Sequence, residues 1–160
     1  AKKKGNVPLS FKLKHKVADK LVFSKLREKT GGNLRFFISG GAALPTYLGN
    51  FFEAIGIIIV EGYGLTESSP VICANRVEDF KFGSVGKPFP GVEIKIASDG
   101  EILARGPNIM QGYYKNKKET EATIKDGWLY TGDIGVFDGD GYCSNDLILK
   151  CITRREILDN

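Results

Sequence analysis

The sequence is poor in the residues that most often build metal and redox centres. It has a single histidine, His15, and three cysteines, Cys73, Cys143 and Cys151, scattered without a C-x-x-C pair. That excludes a zinc centre or a disulfide framework as the organising principle and points to reduced thiols in a cytoplasmic setting. Hydrolase chemistry has no cluster of acid, base and nucleophile to rest on. Long hydrophobic runs are missing too: the longest, Ile57 to Val60, is far below the roughly 18–20 residues of a membrane span. No apolar stretch follows Lys2-Lys3-Lys4, so no signal peptide is expected. There is no initiating Met, which fits a processed chain or an internal segment of a longer one. Glycine is absent from the last nineteen residues, although the preceding 141 contain twenty.

What is present reads as globular. Apolar residues make up 42%, charged residues 26% and aromatics 11% of 160 residues, enough for one domain. The net charge of +4 hides an asymmetry. Residues 1–35 hold eleven Lys/Arg against Asp19 and Glu28, a balance of +9, and the rest carries −5. Such a basic head suits anionic lipid, an acidic face of its own protein, or plain solvation on a helix. No interleaving of aromatic and basic residues accompanies it, so nucleic acid is not an expected partner.

Four regions follow. Residues 1–33 read as a basic amphipathic helix and linker. Leu13, Val17, Leu21, Val22 and Leu26 recur at helical spacing over 9–29, and Thr30-Gly31-Gly32-Asn33 stops it. His15 sits between two lysines as a surface residue. Residues 34–70 form a βαβ unit: a short strand from Leu34 to Ile38, a helix from Pro45 closed by Gly56, and an apolar strand from Ile57 to Val60. That last run lacks alternation, as in a parallel strand buried on both faces. Residues 71–142 are punctuated by glycine and read as a small antiparallel sheet or barrel. Val92 to Ile96 and Glu101 to Arg105 flank a Ser98-Asp99-Gly100 turn, followed by a short helix over 119–125 and strands over 128–131 and 134–137. Asp138-Gly139-Asp140-Gly141 is a turn; Tyr142 stands where a calcium loop needs oxygen. Residues 143–160 are an atypical tail. The fold class is α/β, a parallel layer followed by a small antiparallel sheet.

The chemistry concentrates at Glu61-Gly62-Tyr63-Gly64-Leu65-Thr66-Glu67, leaving the carboxyl end of the buried strand, where ligands collect in open α/β sheets. Gly62 and Gly64 allow close backbone approach. Tyr63 offers a ring for stacking, Thr66 a hydroxyl for a phosphate oxygen, and Glu67 a hard ligand for Mg²⁺. By composition alone the same stretch is also a glycine-rich turn.

Gly62 to Glu67 resembles the signature of AMP-forming acyl-CoA synthetases of the adenylate-forming superfamily. Three further blocks agree in order: Ser39-Gly40-Gly41-Ala42-Ala43-Leu44, the run from Gly100 to Tyr114, and Trp128-Leu129-Tyr130-Thr131-Gly132-Asp133-Ile134-Gly135. Phe36-Phe37-Ile38 with Gly-Tyr-Gly-Leu-Thr-Glu is most similar to long-chain fatty acid–CoA ligases. The resemblance implies part of the large N-terminal domain of such an enzyme. It implies that Tyr63 and the backbone of Gly40, Gly41, Ala42 and Ala43 sandwich adenine, with Gly62 and Gly64 alongside. Thr66 would bond the α-phosphate, Glu67 would bind Mg²⁺, and Asp133 would accept the ribose hydroxyls. Arg154 is the candidate for a nucleotide-contacting arginine near the hinge to a further domain. Glu101 and Arg105 read as structural strand residues.

The implied reaction joins a fatty acid to ATP as acyl-adenylate, then to coenzyme A, with Mg²⁺. A carrier-protein thiol or another acid are the alternatives, and a non-catalytic nucleotide- or acyl-binding module is the non-enzyme one. A homodimer and peripheral membrane contact are carried as partner expectations. No residues match the family's phosphate loop with its lysine or its C-terminal domain, so the segment alone is expected to be inactive. Thr66, Glu67 and Asp133 should converge on one pocket.

Overall fold

The structure, a computed structural model, describes residues 8–144. Arg154 and nearly all of the expected tail lie outside the described residues. The N-terminal helical stretch runs through α1 (Leu9–Ala18), a π-helical turn (Asp19–Phe23) and α2 (Ser24–Lys29). Its apolar stripe stays open: Leu13, Val17, Leu21 and Val22 are exposed. The stretch is anchored by polar contacts at the end of α3 (Thr46–Ala54). Arg27 donates from Nη1 to the Ile55 carbonyl at 2.7 Å and pairs with Asp19 at 2.8 Å. A cation at a helix C-terminus is favourable because the last carbonyls are unpaired and carry partial negative charge. His15 is exposed, as expected, and its Nε2 lies 3.2 Å from the Ala54 carbonyl with the ring beside Phe23.

Pro45 occupies the cap position of α3 rather than its first turn, and its carbonyl accepts from Leu48 at 2.9 Å. The helix ends at Gly56, with φ +83°, where Gly56 N–H donates to Glu53 and Ile57 N–H to Phe52. This paired C-terminal closure requires a left-handed residue, which glycine adopts without a Cβ clash. It also spends the Ile57 N–H, so the strand begins two residues later than the apolar run suggests. Strand β2 is Ile59–Tyr63, parallel to β1 (Phe37–Ser39) with Ile38 opposite Val60.

The first sheet is mixed rather than wholly parallel. β3 (Cys73–Ala74) runs antiparallel to β2, and β4 (Lys87–Pro88) antiparallel to β3. The second sheet, in the order β5-β6-β8-β7, joins β5 (Glu93–Ile96), β6 (Glu101–Arg105), β7 (Ile124–Lys125) and β8 (Trp128–Ile134). The short helix α4 lies over Lys117–Thr123, two residues earlier than expected. It starts there because Asn116 accepts the Glu119 N–H as a cap. β9 (Val136–Phe137) and β10 (Cys143–Ser144) close the Asp138–Gly141 turn, which Lys81 ties down through Asp138.

One core, built from Tyr63, Ile72, Cys73, Val85, Ile102, Ala104 and Cys143 among others, packs the two sheets together. A smaller one gathers Ile55, Ile57 and Ile59 under Phe23, Leu44 and Phe52. Cys73 and Cys143 are free, buried neighbours; the hydrogen bond between them and burial push the Cys73 thiol up. Among the described residues no helix is long and apolar enough to cross a membrane.

Candidate adenylate site

Two loops meet at the site. Beyond β2 the chain enters a one-turn 3-10 helix, Thr66–Ser68, so that Thr66 is exposed and Glu67 half-buried. The turn is folded around Ser68. Its Oγ accepts Leu65 N–H at 2.9 Å and shares its proton between the carbonyls of Leu65 and Pro70. Gly64 is required by space: a Cβ there would sit 1.6 Å from the Pro70 carbonyl oxygen. The upstream loop lies alongside, since a Cβ on Gly40 would be 3.4 Å from the Gly62 carbonyl. Leu44 N–H donates to Glu61 Oε1 at 3.0 Å, tying residues 40–44 to β2. Burial raises the Glu61 carboxyl, and backbone hydrogen bonds from Leu44 and Gly83 oppose the rise.

The second loop comes from β8. Register shifts between Glu101↔Ile134 and Leu103↔Tyr130, so residues 131–133 bulge out of the ladder instead of breaking the strand in two. Extra residues in one strand re-aim its side chains. Glu101, 3% exposed, accepts Gly132 N–H at 2.8 Å. Thr131 Oγ1 donates to the Ile102 carbonyl at 2.8 Å and accepts Asp133 N–H at 3.1 Å. Asp133 is thereby delivered to Tyr63, whose hydroxyl donates to Oδ2 at 2.7 Å. Burial, first, and the neighbouring carboxylate push the Tyr63 phenol far up, so it stays a donor.

Of the expected residues, Gly40, Gly62, Tyr63 and Asp133 are thus brought together across the two sheets. Glu67 faces a different partner, Tyr113, whose hydroxyl donates to Oε1 at 2.8 Å; that bond raises the Tyr113 phenol. A cavity of about 360 Å³ lies elsewhere, bounded by Arg35, Phe36, Ile38, Val60 and Glu61 on the first sheet, and it includes none of Thr66, Glu67 or Asp133. Sequence reasoning quoted Glu61, Asn108 and Tyr113 within its motif blocks but gave them no role, and it read Glu101 as a structural strand residue. For Tyr113 the available signal was its place in the quoted Gly100–Tyr114 block.

Residues 9–114 match the family model described as AMP-binding enzyme. The chain belongs to that family. The chain is 45% identical over 139 residues to a long-chain-fatty-acid–CoA ligase of Mycobacterium bovis, covering 87% of this chain and 23% of that protein. It is 43% identical over 133 residues to a chloroplastic long-chain-fatty-acid–acyl-carrier-protein ligase of Arabidopsis thaliana, covering 76% of this chain and 18% of the relative. Among solved structures, it is similar to O-succinylbenzoate coenzyme A synthetase of Bacillus subtilis in complex with ATP and magnesium ion. There the TM-score is 0.66 at 33% identity, covering 76% of this chain and 29% of that one. The chain therefore spans less than a quarter of the length of these two curated relatives and 29% of the solved structure, and its α/β fold with an antiparallel sheet is that of adenylate-forming enzymes.

Proposed function

We propose that this chain forms the adenine- and ribose-facing part of a ligase that activates a long-chain fatty acid with ATP and passes it to coenzyme A. The observation that carries the reading is the Tyr63–Asp133 hydrogen bond, which seats the glycine-rich loop against the bulge of the second sheet. Tyr63 and the Gly40–Ala43 backbone bind adenine between them, with Gly62 and Gly64 leaving room. Asp133 keeps Oδ1 and the remaining lone pair of Oδ2 for the ribose hydroxyls, since an ionised carboxylate accepts about four hydrogen bonds. Thr66, exposed at the start of its turn, bonds the α-phosphate.

Glu67 fits a hard divalent cation: it offers carboxylate oxygen, and Tyr113 occupies only one of the two atoms. When bound, Mg²⁺ supplies charge neutralisation on the phosphates. In the reaction, the fatty acid carboxylate attacks the α-phosphorus and pyrophosphate leaves; the coenzyme A thiol then attacks the acyl carbon and AMP leaves. What these residues contribute is orientation of the nucleotide for an in-line approach. The test uses the full-length protein with ATP, Mg²⁺, palmitate and coenzyme A. AMP and palmitoyl-CoA are the expected products, and no AMP release with any carboxylic acid overturns the reading.

A second acceptor has specific support in the likeness to the acyl-carrier-protein ligase. Product formation with coenzyme A against a phosphopantetheinylated carrier protein decides between them. Peripheral contact of residues 9–29 with anionic membranes belongs to the same reading, and liposome sedimentation that ignores anionic lipid content removes it.

A further inference from the structure

The turn bearing Thr66 and Glu67 is gripped from outside by one downstream segment, residues 108–113. Asn108 donates from Nδ2 to the carbonyls of Ser68 and Val71, both at 2.9 Å. Met110 N–H donates to the Glu67 carbonyl at 2.8 Å. These contacts fix the main chain of the turn. Among the described residues, the Glu67 side chain has a single hydrogen-bond partner, the Tyr113 hydroxyl at 2.8 Å.

Tyr113 is itself braced. Its N–H donates to Thr120 Oγ1 at 2.9 Å, and that hydroxyl donates to the Asn116 carbonyl at 2.9 Å. Asn116 in turn caps α4. The preceding Gly112 adopts φ +146° with Thr120 pressed so close that a Cβ would lie 2.6 Å from its methyl. The loop after β6 is thus folded back on α4 in a way that sets one phenol against one carboxylate oxygen.

A glutamate has three side-chain torsions, and a half-buried one samples several rotamers unless a partner selects one. A neutral phenol is suited to that task. It donates to one oxygen without neutralising the charge, and leaves the second oxygen a full anionic donor. A lysine in its place would compete with a cation; a phenylalanine would leave the carboxylate free to turn. Groups that orient a metal's ligands in this way govern affinity although they never touch the metal.

We propose that Tyr113 is the positioning residue for Glu67: it holds one carboxylate oxygen so that the other is presented, in a fixed orientation, to the divalent cation that accompanies the nucleotide phosphates. This rests on the reading of Glu67 as the cation's ligand. The segment 108–113 then couples the second sheet to the cation site as the Thr131–Asp133 bulge couples it to the ribose site.

The experiment measures Mn²⁺ binding to the full-length protein by electron paramagnetic resonance, with a non-reactive α,β-methylene ATP analogue bound. Nucleotide affinity in EDTA and the thermal unfolding midpoint are measured in parallel. Tyr113→Phe is expected to weaken Mn²⁺ roughly tenfold, leaving the EDTA affinity and the midpoint at their wild-type values. Glu67→Gln weakens Mn²⁺ at least as much, and the double variant is no worse than Glu67→Gln alone, as two members of one interaction require. Thr120→Val, which removes the brace and keeps the phenol, shifts Mn²⁺ affinity in the same direction and serves if Tyr113→Phe fails to accumulate. If Glu67→Gln weakens Mn²⁺ while Tyr113→Phe and Thr120→Val do not, the positioning role is overturned and the cation reading stands. If Tyr113→Phe lowers all three quantities together, its role is structural and the proposal also falls. If Glu67→Gln itself leaves Mn²⁺ binding unchanged, the ligand assignment is wrong and the proposal falls with it.

Discussion

The two sheets solve the burial problem differently. The antiparallel sheet of β5, β6, β7 and β8 is covered on its inner face: Leu129 is fully buried, as are Ile102 and Ala104 in the core shared with Tyr63, Ile72 and Cys73, and β6 pairs with β8 across the connection that carries α4 and β7. The α/β half, residues 9–63, leaves apolar surface open on β1, α3 and the N-terminal helices, with Ile38 73% exposed and Phe51 52%. Antiparallel strands close locally through turns, whereas a parallel layer needs helices or further strands laid over both faces. The α/β half is therefore the part whose stability depends more on what lies against it.

The hardest blow to this comparison is expected from Gly64→Ala. The added Cβ meets backbone at 1.6 Å, so the turn itself must move; a loss of about 3 kcal/mol or more is expected in urea unfolding. Leu129→Ala should cost about 2–5 kcal/mol in the 160-residue chain, as truncation in a packed core does. Ile38→Ala in the other half should change the same measurement by less than about 0.5 kcal/mol. Equal costs at the two positions would erase the distinction between the sheets.

Glu101→Ala leaves the Gly132 N–H without its carboxylate partner and frees the bulge. An effect of about 1–3 kcal/mol on unfolding is expected. Asp133 should also lose its place beside Tyr63, seen as faster hydrogen exchange at residues 131–133. The smallest effect is on pH. The Lys81 ammonium, first, and backbone donors from Tyr142 and Asp140 hold the Asp138 carboxyl below the ordinary aspartate value. Its contribution is thus present above the unfolded-state pKa and disappears as pH falls through the lower folded value. Amide exchange at Tyr142 should accelerate only in that acid window, and Asp138→Asn should abolish the acid step.

Much of the architecture was legible because it is locally encoded. The Gly56 stop, the Ser98–Gly100 turn and the alternation of Val92–Ile96 all rest on residues near one another in the chain. Boundaries moved where a hydrogen bond elsewhere claimed a group. Ile57 belongs to an apolar run, yet its N–H closes α3, and β2 starts at Ile59. The bulge read as a break between two strands, since Thr131-Gly132-Asp133 has the chemistry of a turn; only pairing with β6 shows that the strand continues through it. The site contacts join residues 70 and 46 positions apart, Tyr63 to Asp133 and Glu67 to Tyr113. No periodicity encodes such a meeting. Glu101 alternates like any strand residue, and alternation does not reveal that its carboxylate is buried against a glycine N–H.

The phenol of Tyr63 stands on one sheet and the carboxylate of Asp133 on the other, so a single 2.7 Å bond spans the seam between them. A hydrogen bond weakens steeply once stretched beyond its normal range. Sliding one layer past the other by even an ångström would therefore unmake this contact before it disturbed either layer's own ladder. On the proposed reading, the seat of the sugar would double as a gauge of how the two layers are aligned.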